Sequence, residues 1–262
     1  MPRFIPFRLA AVCALALVVC FSLAASAVAK APKGPTAELR VVGKGGKVLS
    51  EETLQPGTTT IKTSPKANCF GAGTAGSGKA VTIKGPTALG LLGQAAKSNP
   101  SLRPLLITDA FDFGLGICGI GTSKVSGKAS WYLKVNHKGA TVSGDAVKLK
   151  PGDEVLWNLA PSYPYPNELA LVAPERVETG VPFQVRVFSY DEKGKRKPVA
   201  GAKVVGVSGV SAVTDSSGYA TVTLSSTVPQ YETLQATHGK EIPSAAEPVY
   251  LCVAGACVQT TK

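Results

Sequence analysis

The chain has 262 residues and a net charge of +11, with 28 lysines and arginines against 17 aspartates and glutamates. Most of the basic residues are lysines that stand singly rather than in clusters. Nucleic-acid-binding surfaces usually cluster their basic residues, so we expect no nucleic-acid partner. Only two histidines occur, which leaves little material for histidine-dependent catalysis or for metal binding. We therefore predict that the protein is not an enzyme and holds no metal.

The first 29 residues have the pattern of a secretory signal peptide. Arg3 and Arg8 form a charged start, an apolar stretch follows at Leu9–Leu23, and Ala27–Ala29 has the small-x-small form of a cleavage site. A membrane anchor is the alternative, but the apolar stretch is short for a span. We predict a secreted, extracellular protein that is loosely associated with the cell envelope and has no transmembrane segment after signal cleavage.

Residues 30–35 form a leader rich in proline and lysine, which we expect to be disordered. Short segments follow: strands at Glu38–Val42, Thr58–Lys62, Val81–Lys84 and Leu105–Thr108, a turn at Gly43–Gly46 and a loop at Gly71–Lys79. A helix begins after Thr87, a suitable N-cap, and its apolar face continues to Lys97. Gly90 and Gly93 weaken this helix, so we expect packing on a sheet to hold it.

Two glycine-rich segments match nucleotide-binding motifs in spacing alone. Gly73–Lys79 has the spacing of a P-loop, but Ala80 stands where the Mg²⁺-binding hydroxyl belongs, and a strand follows. Gly114–Gly119 matches the dinucleotide fingerprint, but no helix opens after it. We interpret both as loops or strand segments.

Ser130–Val135 is the most informative stretch of the chain. Apolar residues at every second position alternate there with Tyr132 and Lys134, which is the pattern of a half-buried strand. The next four residues, Asn136–Gly139, have turn chemistry, because Asn and Gly tolerate positive φ. The stretch therefore predicts a strand that ends in a tight turn.

A second stretch with the pattern of a turn and a strand follows the first. Pro151–Asp153 predicts a turn and Val155–Trp157 a strand, while Asp145–Lys150, just before them, alternates as a strand does. The order of features is a strand that ends in Asn, a short connection and then Gly-Asp-x-Val-x-Trp. This order resembles the domain at the C-terminal end of the cobalamin carriers transcobalamin and intrinsic factor. The same pattern recurs in bacterial secreted proteins.

This resemblance covers residues 36–160 and implies an α+β domain, a sheet with one main packed helix. It also implies an extracellular location and a cobalamin-like ligand, since the cobalamin carriers bind their ligand between this domain and a separate helical domain. The present sequence has no such helical partner. We expect no other cofactor.

Three prolines within residues 161–167 favour a stiff, extended linker. Its Tyr163 and Tyr165 either pack against the first domain or are displayed for recognition, and packing is the interpretation that we favour. We expect such a linker to couple the two domains weakly.

Residues 168–262 have the pattern of an all-β domain, with predicted strands at Leu169–Val172, Phe183–Phe188, Lys203–Val207, Ala220–Leu224, Glu232–Ala236 and Val249–Val253. Pro198–Gly206 and Thr214–Val222 resemble bacterial immunoglobulin-like and carboxypeptidase-regulatory-like domains, in which an Asp-x-x-Gly turn would place Gly218 at positive φ. We expect an immunoglobulin-like β-sandwich, which usually serves as a spacer or an adhesive unit.

The four cysteines beyond the signal predict two disulfides, because an even count in an exported chain favours pairing. We expect each domain to pair its own, Cys69 with Cys118 and Cys252 with Cys257. Metal binding is the alternative for the close pair, but neither histidine lies near it in sequence.

Aromatic residues concentrate in and just after the first domain, which suits a corrin or a carbohydrate ligand. The candidate ligand-binding residues are Tyr132, Asn136, His137, Trp131, Trp157, Phe111 and Phe113. Trp131 and Trp157 fall in strand patterns, so a role in the core is the favoured alternative for them. Tyr132 lies on the opposite face and is the best surface candidate, while turn formation is the default role of Asn136 and His137.

These patterns favour a secreted protein of the bacterial envelope that acts as a non-catalytic binding or adhesion-type module. Its ligand would be a corrinoid-like small molecule or a wall glycan or polymer. The lysines of residues 30–160 make an anionic cell-wall polymer a candidate partner, with plain solubility as the favoured alternative explanation of their charge. A spacer without a specific ligand is the alternative. A second alternative is an extracellular hydrolase, for which Asp109 and Asp112 form a short-range carboxylate pair.

Overall fold

The computed structural model describes residues 35–253, 255 and 257, all of which belong to one compact unit. The predicted signal peptide at 1–29 and residues 30–34 of the predicted leader lie outside the described residues. The described part is mostly β-sheet, with one α-helix. No helix within it is long and apolar enough to cross a membrane.

Residues 36–160, the first lobe, contain ten strands and the helix. The strands are β1 (Ala37–Val42), β2 (Val48–Leu54), β3 (Thr59–Lys62), β4 (Ala80–Ile83), β5 (Leu105–Thr108), β6 (Gly116–Ile120), β7 (Ser123–Lys124), β8 (Ser130–Val135), β9 (Lys138–Gly139) and β10 (Glu154–Ala160); the helix is α1 (Ala88–Ser98). The main sheet has the order β2-β1-β10-β8-β9, in which only β1 and β10 run parallel. Two small antiparallel sheets, β3-β4 and β5-β6-β7, complete the lobe.

The helix begins where the sequence predicts. The Oγ1 of Thr87 accepts a hydrogen bond from the Gly90 amide at 3.0 Å, and the leucines of α1 are fully buried. Gly93 is required by the packing, because a Cβ there would lie 2.7 Å from the Cδ1 of Ile61 in β3. The glycine that weakens the isolated helix therefore lets it approach a neighbouring strand closely.

The alternating segment Asp145–Lys150 is not a strand, in contrast to its sequence pattern. It forms a turn with a single bridge, between Lys148 and Thr87. Its backbone serves the helix instead, since the Ala88 amide donates to the Val147 carbonyl at 3.1 Å. The first amides of a helix have no partner within the helix, and this segment supplies one.

The two faces of the main sheet have different neighbours. Val155 and Trp157 of β10 belong to the core that the sheet shares with α1. Leu156, between them, points the other way and packs with Val42 of β1 and with Ile242 from the C-terminal half of the chain. The sheet therefore lies between the helix and the second lobe.

The second lobe, which comprises residues 168–253, 255 and 257 of the described chain, contains strands and no helix. The strands are β11 (Glu168–Val172), β12 (Arg176–Glu178), β13 (Phe183–Tyr190), β14 (Arg196–Pro198), β15 (Lys203–Gly206), β16 (Ser211–Val213), β17 (Tyr219–Val222), β18 (Gln230–Thr237) and β19 (Glu247–Cys252). They form one sheet of order β11-β13-β14, with β17 also paired to β13, and a second of order β12-β19-β18-β15-β16. Buried side chains from both sheets share one hydrophobic core.

All six strands predicted for the second lobe are present, within a few residues of the predicted bounds. Gly218 has a φ of 81°, as the Asp-x-x-Gly turn requires. Three short strands, β12, β14 and β16, escaped prediction because three residues are too few to show an alternation.

Both predicted disulfides are confirmed. Cys69 is bonded to Cys118 and Cys252 to Cys257, with Cα atoms 5.5 and 5.4 Å apart. In the short loop between Cys252 and Cys257, residues 254 and 256 lie outside the described residues. Each bridge closes a loop within its own lobe.

Candidate ligand-binding sites

The two tryptophans lie in and against the core of the first lobe. Trp157 is buried, and its indole N–H donates to the carbonyl of Ala88 in α1 at 3.5 Å. Trp131 is half-buried against the same core. Trp157 therefore joins the sheet to the helix, and Trp131 packs at the edge of the same core, as the core interpretation predicts.

Tyr132 lies on the opposite face of β8, but this face is not free. Its ring stacks on Tyr165 of the linker, with centroids 3.9 Å apart. Burial, with smaller contributions from Glu192 and Tyr165, raises the pKa of the Tyr132 phenol. The linker packs against the first lobe through this pair, so Tyr132, the preferred surface candidate, has a packing role.

The turn after β8 carries the two residues whose default role is turn formation. Asn136 and His137 have positive φ, 51° and 66°. The Asn136 side chain donates to the Asp153 carboxylate and accepts from the Glu154 amide, both at 2.9 Å. These bonds fix the turn to the start of β10.

His137 reaches the second lobe. Its ring stacks on Tyr190 of β13 with centroids 3.8 Å apart, and its Nδ1 lies 3.2 Å from the Oε2 of Glu168. Glu168 is the first residue of β11, and 2% of it is exposed. The histidine is therefore part of the contact between the lobes.

Three basic side chains of the first lobe surround the carboxylate of Glu168. Arg40 donates a hydrogen bond to its Oε1, and the Nζ of Lys134 lies 3.7 Å from its Oε2, on the side that His137 also faces. Burial alone would raise the pKa of Glu168, but the close contact with the His137 ring and the charge of Arg40 outweigh it, so this pKa lies below its ordinary value. We call Arg40, Lys134, His137 and Glu168 the junction cluster.

The junction cluster corrects the expectation that the linker couples the lobes weakly. Lys134 is fully buried and also donates to the carbonyls of Tyr190 and Asp191 at 3.3 and 3.4 Å. Burial lowers the pKa of its ammonium group, against the opposing charge of Glu168. Contacts between residues far apart in sequence, rather than the linker itself, join the lobes.

A different part of the first lobe carries exposed aromatic rings. Phe111 stacks on Phe113 with centroids 4.9 Å apart, and Phe70 meets Phe111 edge-on at 5.3 Å. Phe113 is 76% exposed and Phe70 49% exposed. We call these three residues the phenylalanine surface. The rings of Phe70 and Phe113 are open to solvent and that of Phe111 is half-buried, whereas the tryptophans and Tyr132 are packed. Tyr163 is exposed as well, at 76%, so the packing of the linker rests on Tyr165.

The fold holds the phenylalanine surface in place. The Cys69–Cys118 disulfide fixes the residue before Phe70 to strand β6. Gly116, the first residue of that strand, leaves room for the rings, because a Cβ there would lie 2.7 Å from Phe70. Phe70 was missing from the sequence-based candidates, since it stands alone before a glycine-rich loop.

Asp109, one of the two candidate hydrolase carboxylates, organises that loop. Its carboxylate accepts hydrogen bonds from the amide and the hydroxyl of Ser77, at 2.7 and 2.6 Å. These hydrogen bonds lower the pKa of Asp109. The carboxylate fastens the 71–79 loop beside β5, while Asp112 is exposed.

A cleft of about 710 Å³ opens beside the junction cluster and is acidic. Glu38, Glu51, Glu154 and Glu247 line it. Burial, together with repulsion from the other three carboxylates, raises the pKa of Glu247. Among the described residues, no group of three His, Cys, Asp or Glu side chains has the arrangement of a metal site.

Comparison with known proteins found no relative of this chain. No family model matches the chain, and neither a curated protein nor a solved structure matches it.

Proposed function

We propose that the protein is a secreted, non-catalytic binding protein of the bacterial envelope that holds wall glycan on its phenylalanine surface. The observation that carries this proposal is the clustering of three phenylalanine rings at the meeting point of two loops, with Phe113 76% exposed. Exposed aromatic clusters of this kind mark interaction sites more often than isolated apolar residues do. The apolar C–H face of a sugar buries well against an aromatic ring.

Export is supported by the two disulfides, because such bonds form and persist in oxidising compartments. The signal-like first 29 residues point to the same compartment. Loose retention at the envelope follows if the glycan itself is the anchor.

For the two lobes we propose the folds that their sequences resemble. The main sheet with α1 on one face supports a transcobalamin-like α+β domain at 36–160. The two sheets with a common core support an immunoglobulin-like sandwich at 168–262.

Between the two ligand classes, we choose the glycan over a corrinoid. The phenylalanine surface is open, so it suits a chain of sugar rings that extends past it. A corrin macrocycle needs a concave site that covers most of its surface.

A pelleting assay with purified wall sacculi tests the proposal. Each phenylalanine is worth about 1–2 kcal/mol if it becomes buried on binding, so the double variant Phe70→Ala/Phe113→Ala should lose at least about tenfold in affinity. Tyr231→Ala is the matched control, because Tyr231 is an exposed aromatic residue of the second lobe, 71% accessible. Wild-type protein that stays in the supernatant would favour a spacer, and unchanged binding by the double variant would place the ligand elsewhere.

A further inference from the structure

A second cleft between the lobes, of about 700 Å³, lies away from the acidic one. Its walls come from the turn at Lys44–Gly46, the end of β10, the linker prolines and residues 237–243 of the second lobe. This volume is within the range of small-molecule sites, which often lie between domains.

Asn158 of β10 lines this cleft and has an unusual environment. It lies on the face of the main sheet that the second lobe covers, and 4% of it is exposed. Its Nδ2 is buried and has no hydrogen-bond partner among the described residues. Buried amide donors are almost always paired, and an unpaired one costs stability. Several buried side-chain atoms of the described residues lack a partner, and Asn158 Nδ2 is the one among them that belongs to a residue lining this cleft.

The rim of the cleft is positively charged. Lys44, Lys124 and Lys240 line it and are exposed. Glu241 is the only carboxylate among the described lining residues, and it is already engaged by the Ser189 hydroxyl and by the Nδ1 of His238, the latter at 2.8 Å. A negatively charged ligand would therefore meet an excess of exposed lysines here.

We propose that this cleft binds a small ligand through an oxyanion, a phosphate or a carboxylate carried on a sugar-like body. The oxyanion accepts the unused hydrogen bond of Asn158 Nδ2, after a small rotation of the terminal amide about its broad χ2 torsion. The three lysines supply the counter-charge. Leu159, Pro161 and Ile242 provide apolar walls for the body of the ligand.

Nuclear magnetic resonance titration tests this site, with the Asn158 side-chain NH₂ signal as the reporter. The probes are glucose 6-phosphate and glucuronate, which distinguish the two oxyanions, and glucose as the uncharged control. We expect at least one of the anions to shift the Asn158 signal in a saturable manner and glucose to leave it in place. Binding of neither anion, or equal binding of glucose, would overturn the proposal.

Two kinds of variant separate binding from folding. Asn158→Leu removes the unpaired donor, so it should retain or raise the thermal midpoint while the affinity for the anion falls at least tenfold. Lys124→Gln/Lys240→Gln changes only exposed residues and should also weaken binding, whereas Lys203→Gln, on the exposed side of β15, should not. Anion affinity that survives in the double lysine variant contradicts the proposal, even if Asn158→Leu fails to fold. None of these residues belongs to the phenylalanine surface, so the glycan proposal stands or falls separately.

Discussion

Arg40 of β1 donates a hydrogen bond to Glu168 of β11, and this buried pair joins the two lobes of the protein. A second N–H of the same guanidinium donates to the carbonyl of Pro243, also in the second lobe. Lys134 and His137 complete the surroundings of the Glu168 carboxylate. Glu168 therefore supplies negative charge from the second lobe to the buried cations of the first, while Glu51 of the first lobe lies 3.9 Å from the Nε of Arg40.

Replacing Glu168 by Gln should strongly destabilise the protein, because Arg40 and Lys134 would lose their common counter-charge in a buried place. Breaking a buried ion pair from one side typically costs about 3–5 kcal/mol. Urea unfolding measures the loss, with Asp112→Asn as the control for an exposed carboxylate. A loss below about 1 kcal/mol would mean that the cluster does not hold the lobes together.

Protonation of Glu168 should also lower the stability of the protein in acid. The pKa of Glu168 is lower in the folded protein than in the unfolded chain, where it is about 4.3. Its contribution is therefore present in full above that value and is lost as the pH falls through the folded-state pKa. Calorimetry between pH 7 and pH 3 should show the wild type and Glu168→Gln converging at the acid end. A constant difference across this range would assign the effect to something other than this carboxylate.

The two disulfides should differ in their effect on stability. The Cys69–Cys118 bridge spans 49 residues and the Cys252–Cys257 bridge spans five, so loop entropy gives about 4 and about 2 kcal/mol. Cys69→Ser should therefore lower the thermal midpoint more than Cys252→Ser does. Because the junction cluster couples the lobes, we expect one calorimetric transition in each variant. Two resolved transitions would show that the lobes unfold independently.

Local signals made much of the secondary structure predictable. Thr87 marked the start of the helix, and the alternation around Trp131 marked β8. That alternation also separated Trp131 from Tyr132 by face, but it could not show what covers the second face. The cover comes from Tyr165 and from the second lobe, which are distant in sequence.

The candidate sites depend on such distant contacts even more. Arg40 and Glu168 are 128 residues apart, and neither stands in a local motif that predicts the other. Phe70 and Phe111 meet beside the Cys69–Cys118 disulfide and Gly116, and no local sequence pattern links the two phenylalanines. Asn158 had the pattern of an ordinary strand residue, and only its missing hydrogen-bond partner in the folded chain sets it apart.

The most direct test of the glycan proposal is to map the ligand on the protein. The ¹⁵N-labelled protein would be titrated with a soluble tetrasaccharide of N-acetylglucosamine and N-acetylmuramic acid, followed by amide chemical shifts. We predict saturable shifts at Cys69–Gly71 and Phe111–Gly116, with no change in β17 of the second lobe. Saturable shifts confined to any other region, or none at saturating ligand, would contradict the assignment of glycan binding to the phenylalanine surface.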